Sequence, residues 1–421
     1  MRKSVAPALA LIQLGFLAAC GGGGYGRGTT TPPPPTQMIA TPGPPNVETL
    51  TVDAGPTGGV NTAFVSVQIC VPGTMTCQTI DHIEVDTGST GLRILADVPF
   101  TLTLPQATNG SGGPPMTECL QFADGSSYGS LRVADITLPG SGEHAANLIV
   151  QLIGDSTYPV PTGTITGQSA CPGITENTVQ AFGANGILGV GPFAQDCGGG
   201  CAAPNPPLAG VYYNCASPST CVDANASLTE QVANPVSMFT TDNNGVIVEL
   251  PAVGSAGTTT ATGSLVFGIG TRTNNALGMA TVLPEDPNSG YITATYKGIA
   301  YAAGYIDSGS NGNFFTDSSL TQCTTATGFY CPASTMSESA TLQGTTATML
   351  AADFSVANAE TLFSNASYTA FSNLAGTIPN PPPPPQAQPF DLGLPFFYGQ
   401  NVFTAIEGNT VSGTMGPFFA Y

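Results

Sequence analysis

One short pattern occurs twice in this chain, once in each half. The first copy, Asp86-Thr87-Gly88-Ser89, follows the run Ile83-Glu84-Val85, and the second copy, Asp307-Ser308-Gly309-Ser310, follows Tyr305-Ile306. Glycine lets the backbone fold back tightly after a strand, which places the aspartate at the strand end. One copy alone is typical of an ordinary turn. Two copies predict two equivalent halves, each presenting one carboxyl group.

Composition indicates an all-β protein that functions outside the cytoplasm. The 421 residues suffice for two domains of ordinary size. Only 8% of the residues are charged, glycine is abundant, and the apolar residues show no long helical period. The chain has seven Lys and Arg residues and 26 Asp and Glu residues, and is therefore strongly acidic. A nucleic-acid partner is therefore excluded, because nucleic-acid binding needs clustered basic residues. An anionic-membrane surface is disfavoured for the same reason.

The N-terminus is typical of an export signal. Arg2-Lys3 and the apolar run after them predict a signal peptide over residues 1–19, since the run is too short to span a membrane as a helix. The run ends at Leu17-Ala18-Ala19-Cys20, which resembles the bacterial lipoprotein box and predicts lipidation of Cys20. A plain secretory peptide is the alternative. By the same resemblance, Gly21 favours the outer membrane over the inner membrane.

After Cys20, the chain is divided into a tether and two predicted lobes. Residues 20–47 are rich in Gly and then in Pro, which predicts an unpacked tether that is the only link to the membrane. From there on, short apolar runs separated by Gly, Pro and Asn predict strands. We expect the first lobe at residues 48–255 and the second at residues 256–421.

The cysteine count supports both lipidation and export. There are 11 cysteines, an odd number, so setting Cys20 aside leaves enough for five disulfides in an oxidising compartment. Cys70 with Cys77, and Cys323 with Cys331, are predicted to form local disulfides. A cluster of four further cysteines favours disulfides over zinc, because the compartment is oxidising and paired CxxC motifs are absent: Cys197, Cys201, Cys215 and Cys221. No metal or cofactor is expected.

Two carboxyl groups brought together can hydrolyse an amide. Like charges repel at short range, so the pair holds one proton, and a water between the groups can be activated by general acid and base. We expect the hydroxyls of Ser89 and Ser310 to fix the outer carboxylate oxygens. Thr87 and Ser308 are expected to bond across to the opposite half. With only two histidines, a Ser/His/Asp triad is disfavoured, and the turn chemistry disfavours a glycosidase.

Five elements in chain order resemble the pepsin-like (family A1) aspartic peptidases over residues 48–421. They are two Asp turns, a flap-like hairpin and two apolar-Gly elements: Asp86-Thr87-Gly88-Ser89, Phe122 to Gly129, Gly186-Ile187-Leu188-Gly189, Asp307-Ser308-Gly309-Ser310, and Asp391-Leu392-Gly393 through Phe403. The resemblance implies an all-β, bilobal double barrel with a central cleft between related lobes. Within that group, the chain resembles bacterial pepsin-like lipoproteins of uncharacterised function.

The same resemblance implies a set of site residues. Asp86 and Asp307 would form the catalytic dyad, and six turn residues would support it: Thr87, Gly88, Ser89, Ser308, Gly309 and Ser310. Flap and cleft positions would be Phe122, Asp124, Gly125, Tyr128 and Arg93. The implied activity is that of a membrane-tethered aspartic endopeptidase. It would act as a monomer on a peptide or protein.

Two departures from the pepsin pattern keep a second hypothesis open. Pepsins usually carry a flap Tyr bonded to a Trp, but this chain has no Trp, Arg93 stands at that position, and Phe122 aligns with the flap Tyr. Tyr128 is an alternative flap aromatic. Arg93 would either lie near the cleft or pair with Asp124 or Asp135. The alternative function is a catalytically inactive, pepsin-like binding protein on the cell surface.

Overall fold

The described part of the chain is built almost entirely from β-strands. The computed structural model describes residues 37–161, 171–202, 206–378, 381 and 386–421. The predicted signal peptide, the lipidation residue Cys20 and the predicted tether up to Thr36 lie outside these residues. Among the residues described, no helix has the length and apolar character needed to cross a membrane.

Twenty-four strands, three short α-helices and two 3-10 turns follow one another along the described ranges. The strands up to residue 255 are β1 Val47–Val52, β2 Ala63–Cys70, β3 Cys77–Asp86, β4 Thr90–Leu95, β5 Met116–Gln121, β6 Ser126–Thr137, β7 His144–Ile153, β8 Gly186–Val190, β9 Tyr212–Ser217, β10 Thr220–Asp223 and β11 Gly245–Glu249. Those after residue 255 are β12 Ala261–Phe267, β13 Val282–Pro284, β14 Ile292–Tyr296, β15 Ile299–Ile306, β16 Asn313–Phe314, β17 Met336–Gln343, β18 Met349–Val356, β19 Ala375–Gly376, β20 Pro389–Leu392, β21 Asn401–Ala405, β22 Thr410–Val411, β23 Thr414–Met415 and β24 Phe418–Ala420. The helices are α1 Val179–Phe182, α2 Gly199–Ala202 and α3 Ala359–Phe363, and the 3-10 turns are Pro235–Met238 and Leu394–Phe397.

The strands are arranged in two large sheets and a small hairpin. Fifteen strands form the first sheet, in the order β10-β9-β5-β6-β7-β4-β8-β3-β2-β1-β12-β11-β21-β24-β13. Seven strands form the second, in the order β18-β17-β14-β15-β20-β16-β19, while β22 pairs with β23. The first sheet therefore joins strands of the first half to the C-terminal strands β21 and β24.

Alternating side chains explain why these segments form strands. In β2, Val65, Val67 and Ile69 are buried, while the polar Ser66 and Gln68 between them are partly exposed. Successive side chains of a strand point to opposite faces, so this alternation places one apolar row in the core. In the second half, aromatic rings fill the core, with Phe315 stacked on Phe390 at 5.2 Å between ring centroids.

Residues 37–46 are packed, although the sequence indicated an unpacked tether up to residue 47. The Gln37 amide donates hydrogen bonds to the backbone oxygens of Leu250 (2.9 Å) and Gln400 (2.8 Å). Asn46 is fully buried and donates to the oxygen of Phe267 at 2.8 Å. These polar contacts to distant strands explain why a Gly- and Pro-rich segment is nevertheless ordered.

Five disulfides use all ten cysteines other than Cys20. The predicted local disulfides Cys70–Cys77 and Cys323–Cys331 are confirmed. The cluster of four cysteines also forms disulfides, namely Cys197–Cys201 and Cys215–Cys221. The fifth, Cys119–Cys171, links the hairpin strand β5 to a distant loop. Such a set indicates an extracytoplasmic protein, because disulfides persist in oxidising compartments.

Candidate active site

Each aspartate of the repeated pattern lies at the end of a strand with a parallel neighbour. In the first half, β3 pairs in parallel with β8, and Asp86 is opposite Gly189. In the second half, β15 pairs in parallel with β20, and the N–H of Asp307 donates to the oxygen of Leu392 at 3.0 Å. The two apolar-Gly segments noted in the sequence therefore support the two Asp turns in the same way.

Within each turn, hydrogen bonds fix the orientation of the carboxyl group. Oδ1 of Asp86 accepts from the N–H groups of Gly88 (2.7 Å) and Ser89 (3.2 Å). The bond expected from the Ser89 hydroxyl to this carboxylate is not formed, and that hydroxyl has no partner among the described residues. Oδ1 of Asp307 accepts from the N–H of Gly309 (2.8 Å), and Oδ2 accepts from the hydroxyl of Ser310 (3.0 Å). Donors aimed at a carboxylate favour its charged form and hold it in place.

Two hydroxyl side chains cross between the turns and bind them together. The hydroxyl of Thr87 accepts from the N–H of Ser308 at 2.9 Å and donates to the oxygen of Ile306 at 3.3 Å. In return, the hydroxyl of Ser308 accepts from the N–H of Thr87 at 3.1 Å and donates to the oxygen of Val85 at 2.7 Å. We refer to these four bonds as the hydroxyl lock. Each half thereby satisfies buried backbone groups of the other half.

The glycines of the two turns allow the two carboxyl groups to approach. A Cβ atom added at Gly88 would lie 2.7 Å from the carboxyl carbon of Asp307, and one added at Gly309 would lie 2.7 Å from that of Asp86. Any other residue would collide with the opposite aspartate. The two carboxyl groups are close enough for that of Asp86 to raise the pKa of Asp307. The structure thus brings together the two aspartates expected to form a dyad.

Asp307 is a carboxyl group that favours its protonated form. Burial raises its pKa well above the ordinary value, and the negative charges of Asp86 and Asp391 raise it further. The N–H of Gly309 opposes this shift. Since two like charges at this separation cannot both ionise cheaply, the pair retains one proton.

The two aspartates line a cavity of about 750 Å³. Its walls come from both halves of the chain and include Phe122 and Phe182 on one side and Tyr305 and Phe314 on the other. A cleft of this size, apolar in part and with converging polar groups, is typical of ligand-binding sites.

A family model described as "Protein of unknown function (DUF3443)" matches residues 42–421. The chain belongs to this DUF3443 family. No curated protein sequence matches it.

Among solved structures, the aspartic proteinase from Irpex lacteus is similar to this DUF3443 chain, with a TM-score of 0.50 and 14% identity. The alignment covers 89% of this chain and 96% of the proteinase. At this identity the likeness shows the fold alone. The predicted all-β, bilobal, pepsin-like fold is therefore confirmed.

The flap-like hairpin of this DUF3443 chain presents a phenylalanine to the cavity. It consists of β5, a four-residue tip closed by a bond from the Phe122 N–H to the Gly125 oxygen (2.8 Å), and β6. Phe122 and Asp124 line the cavity, and the Phe122 ring lies edge-on to Phe182 at 5.6 Å. Tyr128 is buried and its hydroxyl bonds to that of Thr117 at 2.7 Å, so it does not reach the cavity.

Arg93 differs from both alternatives that the sequence left open. It is completely buried, does not line the cavity, and pairs with Glu118 and Asp196 at 2.9 Å each. Neither Asp124 nor Asp135 is its partner; Asp135 instead accepts from backbone N–H groups. Because Glu118 lies in β5, Arg93 ties β4 to the base of the flap. Breaking a buried pair of this kind costs about 3–5 kcal/mol of stability.

Three carboxyl groups that sequence reasoning missed also line the cavity: Glu84, Glu176 and Asp391. Glu84 was detectable, because it lies two residues before Asp86 and strand alternation places both on one face. Asp391 was visible as an acid inside the apolar-Gly segment of the second half. Glu176 contacts Gly125 at the flap tip, a long-range contact that the local sequence does not indicate.

Proposed function

We propose that this protein is an extracytoplasmic aspartic endopeptidase that hydrolyses peptide bonds with a water activated by Asp86 and Asp307. The observation that carries the proposal is the pair of carboxyl groups, one from each half, each packed against the glycine of the opposite turn on the wall of one cavity. The equivalent turns, the glycines at closest approach and the hydroxyl lock support it. Tethering through a lipid on Cys20 to the outer membrane is part of the proposal and rests on the N-terminal sequence.

The mechanism follows from one proton shared by two carboxyl groups. Asp86, as a carboxylate, accepts a proton from a water whose oxygen attacks the peptide carbonyl carbon. Asp307, whose raised pKa favours the acid form, donates its proton to the carbonyl oxygen, which gives a gem-diol. Asp86 then gives its proton to the amide nitrogen while Asp307 takes one back from a hydroxyl of the gem-diol, so that the C–N bond breaks, an acid and an amine are released, and the pair regains its single shared proton.

The test is cleavage of a mixed peptide library by the purified protein across pH. Asp86→Asn and Asp307→Asn should each reduce kcat/KM by at least about 10²–10⁴-fold, which is the contribution of positioned acid–base groups. Asp353→Asn, a change of the same type at an exposed residue of β18, should leave hydrolysis unchanged. Hydrolysis that survives either dyad substitution would contradict the mechanism.

A second candidate function is a pepsin-like binding protein without hydrolysis. Phe122 favours it, because the flap residue that reaches the cavity has no hydroxyl to offer to a substrate. A folded wild-type protein that binds peptides from the library but leaves them intact at every pH would establish this function instead.

A further inference from the structure

The cavity of this protein is lined by acidic groups without a basic residue among them. Six carboxyl groups line it: Glu84, Asp86, Asp124, Glu176, Asp307 and Asp391. No Lys, Arg or His is among the lining residues. The internal segments that the structure does not describe, residues 162–170, 203–205, 379–380 and 382–385, contain no Lys, Arg or His either. The folded body therefore supplies no cation to this wall.

Every Lys and Arg residue in the described ranges already has an acidic partner elsewhere. Arg93 pairs with Glu118 and Asp196, and Arg132 with Asp155 at 2.6 Å. The other two pairs are Arg272 with Asp242 at 2.5 Å and Lys297 with Asp317 at 2.8 Å. All of these acidic partners lie outside the cavity lining. Among the described residues, no base is therefore left to pair with the carboxyl groups of the cavity, and a cationic ligand would meet them without a competing partner.

Asp391 shows where such a ligand would bind. The residue is only 2% exposed, it lines the cavity, and its Oδ1 atom has no hydrogen-bond partner among the described residues. Leaving a buried acceptor unpaired is costly, and more so for a group that can be charged. In the matching register position of the first half stands the apolar Ile187, so the fold itself does not require an acid here.

Glu84 provides an acidic wall in the first half, two residues before Asp86 in β3, whereas Asp391 lies beside the strand that carries Asp307. The negative charges of Asp86, Asp124 and Glu176 act on it, and after burial they are what raises its pKa. These three groups all belong to the first half of the chain, whereas Asp391 belongs to the second. Phe122, Phe182 and Ile187 line the cavity on the same side as Glu84. Apolar walls that end in a carboxylate suit a long aliphatic stem with a cationic head.

We propose that the cleft selects basic peptides, with one Lys or Arg side chain reaching Glu84 on one side of the dyad and a second reaching Asp391 on the other. This substrate class rests on the proposed function only in that the ligand is a peptide. A resident metal ion is a poorer match. Among the described residues, a single group of three candidate ligands lies within 4.8 Å, and it is formed outside the cavity by Glu360 and the disulfide cysteines Cys323 and Cys331.

The test uses peptides in which a hydroxyethylene group replaces the scissile bond, so that binding is measured without cleavage. Four ligands differ only at the two flanking residues: Lys/Lys, Lys/norleucine, norleucine/Lys and norleucine/norleucine. Norleucine keeps the aliphatic stem and removes the charge. By calorimetry on the full protein, Lys/Lys should bind at least about tenfold more tightly than norleucine/norleucine, as expected of hydrogen bonds to charged groups.

Two variants assign the two sides. Glu84→Gln should reduce the affinity of only one of the mixed ligands, and Asp391→Asn that of only the other. Asp353→Asn should change neither. If a variant fails to fold, the salt dependence of wild-type binding takes its place, because the advantage of Lys over norleucine should shrink as ionic strength rises.

The outcomes separate this inference from the proposed function. Equal affinity for Lys and norleucine ligands overturns the inference, and if peptides are still cleaved the endopeptidase function stands. A lysine preference without cleavage of any peptide overturns the endopeptidase function and keeps the specificity. Binding of calcium or zinc chloride alone that Asp391→Asn abolishes would assign the cavity to a metal and overturn the inference.

Discussion

The Asp86 turn and the Asp307 turn have the same backbone frame in different chemical surroundings. In the first turn, two backbone N–H groups hold the carboxylate, and the buried hydroxyl of Ser89 has no partner among the described residues. In the second turn, one N–H and the hydroxyl of Ser310 hold it. Beside the first turn stand Glu84 and Ile187 in register, and beside the second stand Tyr305 and Asp391.

This difference shows that the repeat fixes the position of the two carboxyl groups but not their environment. In the first half, the strand that ends in the aspartate carries the acid Glu84, and its parallel neighbour carries Ile187 at the paired position. In the second half the order is reversed, because the aspartate strand carries Tyr305 and its neighbour carries the acid Asp391. Positions that hold the frame are therefore similar in both halves. Positions that face the cavity differ between the halves, and one of them, Asp391, raises the pKa of Asp307.

The largest effect is expected from the two glycines at the closest approach of the turns, and it tests whether both turns position the carboxyl groups in the same way. Gly88→Ala and Gly309→Ala each place a Cβ 2.7 Å from the opposite carboxyl carbon. Because a displacement of about 1 Å at a reacting group can cost about 10²-fold in rate, each should lower kcat/KM by at least that factor. Gly254→Ala, where nothing lies within 4 Å of the added Cβ, serves as the control. A loss in one turn only would disprove the equivalence.

The next effect concerns stability and the hydroxyl lock. Thr87→Val and Ser308→Ala each leave a buried backbone N–H of the other half without its acceptor. Each should lower the free energy of unfolding in chemical denaturation by about 1–3 kcal/mol. Thr87→Ser keeps the hydroxyl and should retain most of the stability. Strictly additive losses in the double variant would mean that the two hydroxyls act independently, contrary to the geometry.

The smallest effect is a shift of the pH profile that only the second half should show. The charge of Asp391 raises the pKa of Asp307, so Asp391→Asn should lower that pKa. The form with the shared proton is then lost at lower pH, and the alkaline limb of kcat/KM moves to lower pH. Ile187→Leu, at the matching position of the first half, carries no charge and should leave the limb in place. A limb that moves to higher pH in Asp391→Asn would contradict this account.

Much of the frame was predictable from the sequence because it depends on local patterns. The Asp turns are read from four residues each, and Cys70–Cys77 closes a loop that is evident in the sequence. The burial and ion pairing of Arg93 were not predictable, since its partners Glu118 and Asp196 come from β5 and from a loop far along the chain. A lone arginine in a strand does not indicate which distant acids will surround it.

The acidic lining of the cavity could not be predicted from the sequence for a related reason. The sequence indicates Asp391 only as part of an apolar-Gly segment, and it is the pairing of β15 with β20 that places this residue beside the strand of Asp307. For residues 37–46 the composition predicts a tether, and this is wrong because the segment is held by contacts with residues more than 200 positions away. In each case the deciding interaction is long-range.

The hydroxyl lock has a consequence for the way this protein is assembled. Each turn completes its backbone hydrogen bonds with a hydroxyl from the other half, so neither turn can reach its full set of hydrogen bonds until the two halves have docked. If the chain were cut between the two turns, we expect each fragment alone to lack an ordered Asp turn and the mixed fragments to form both turns together.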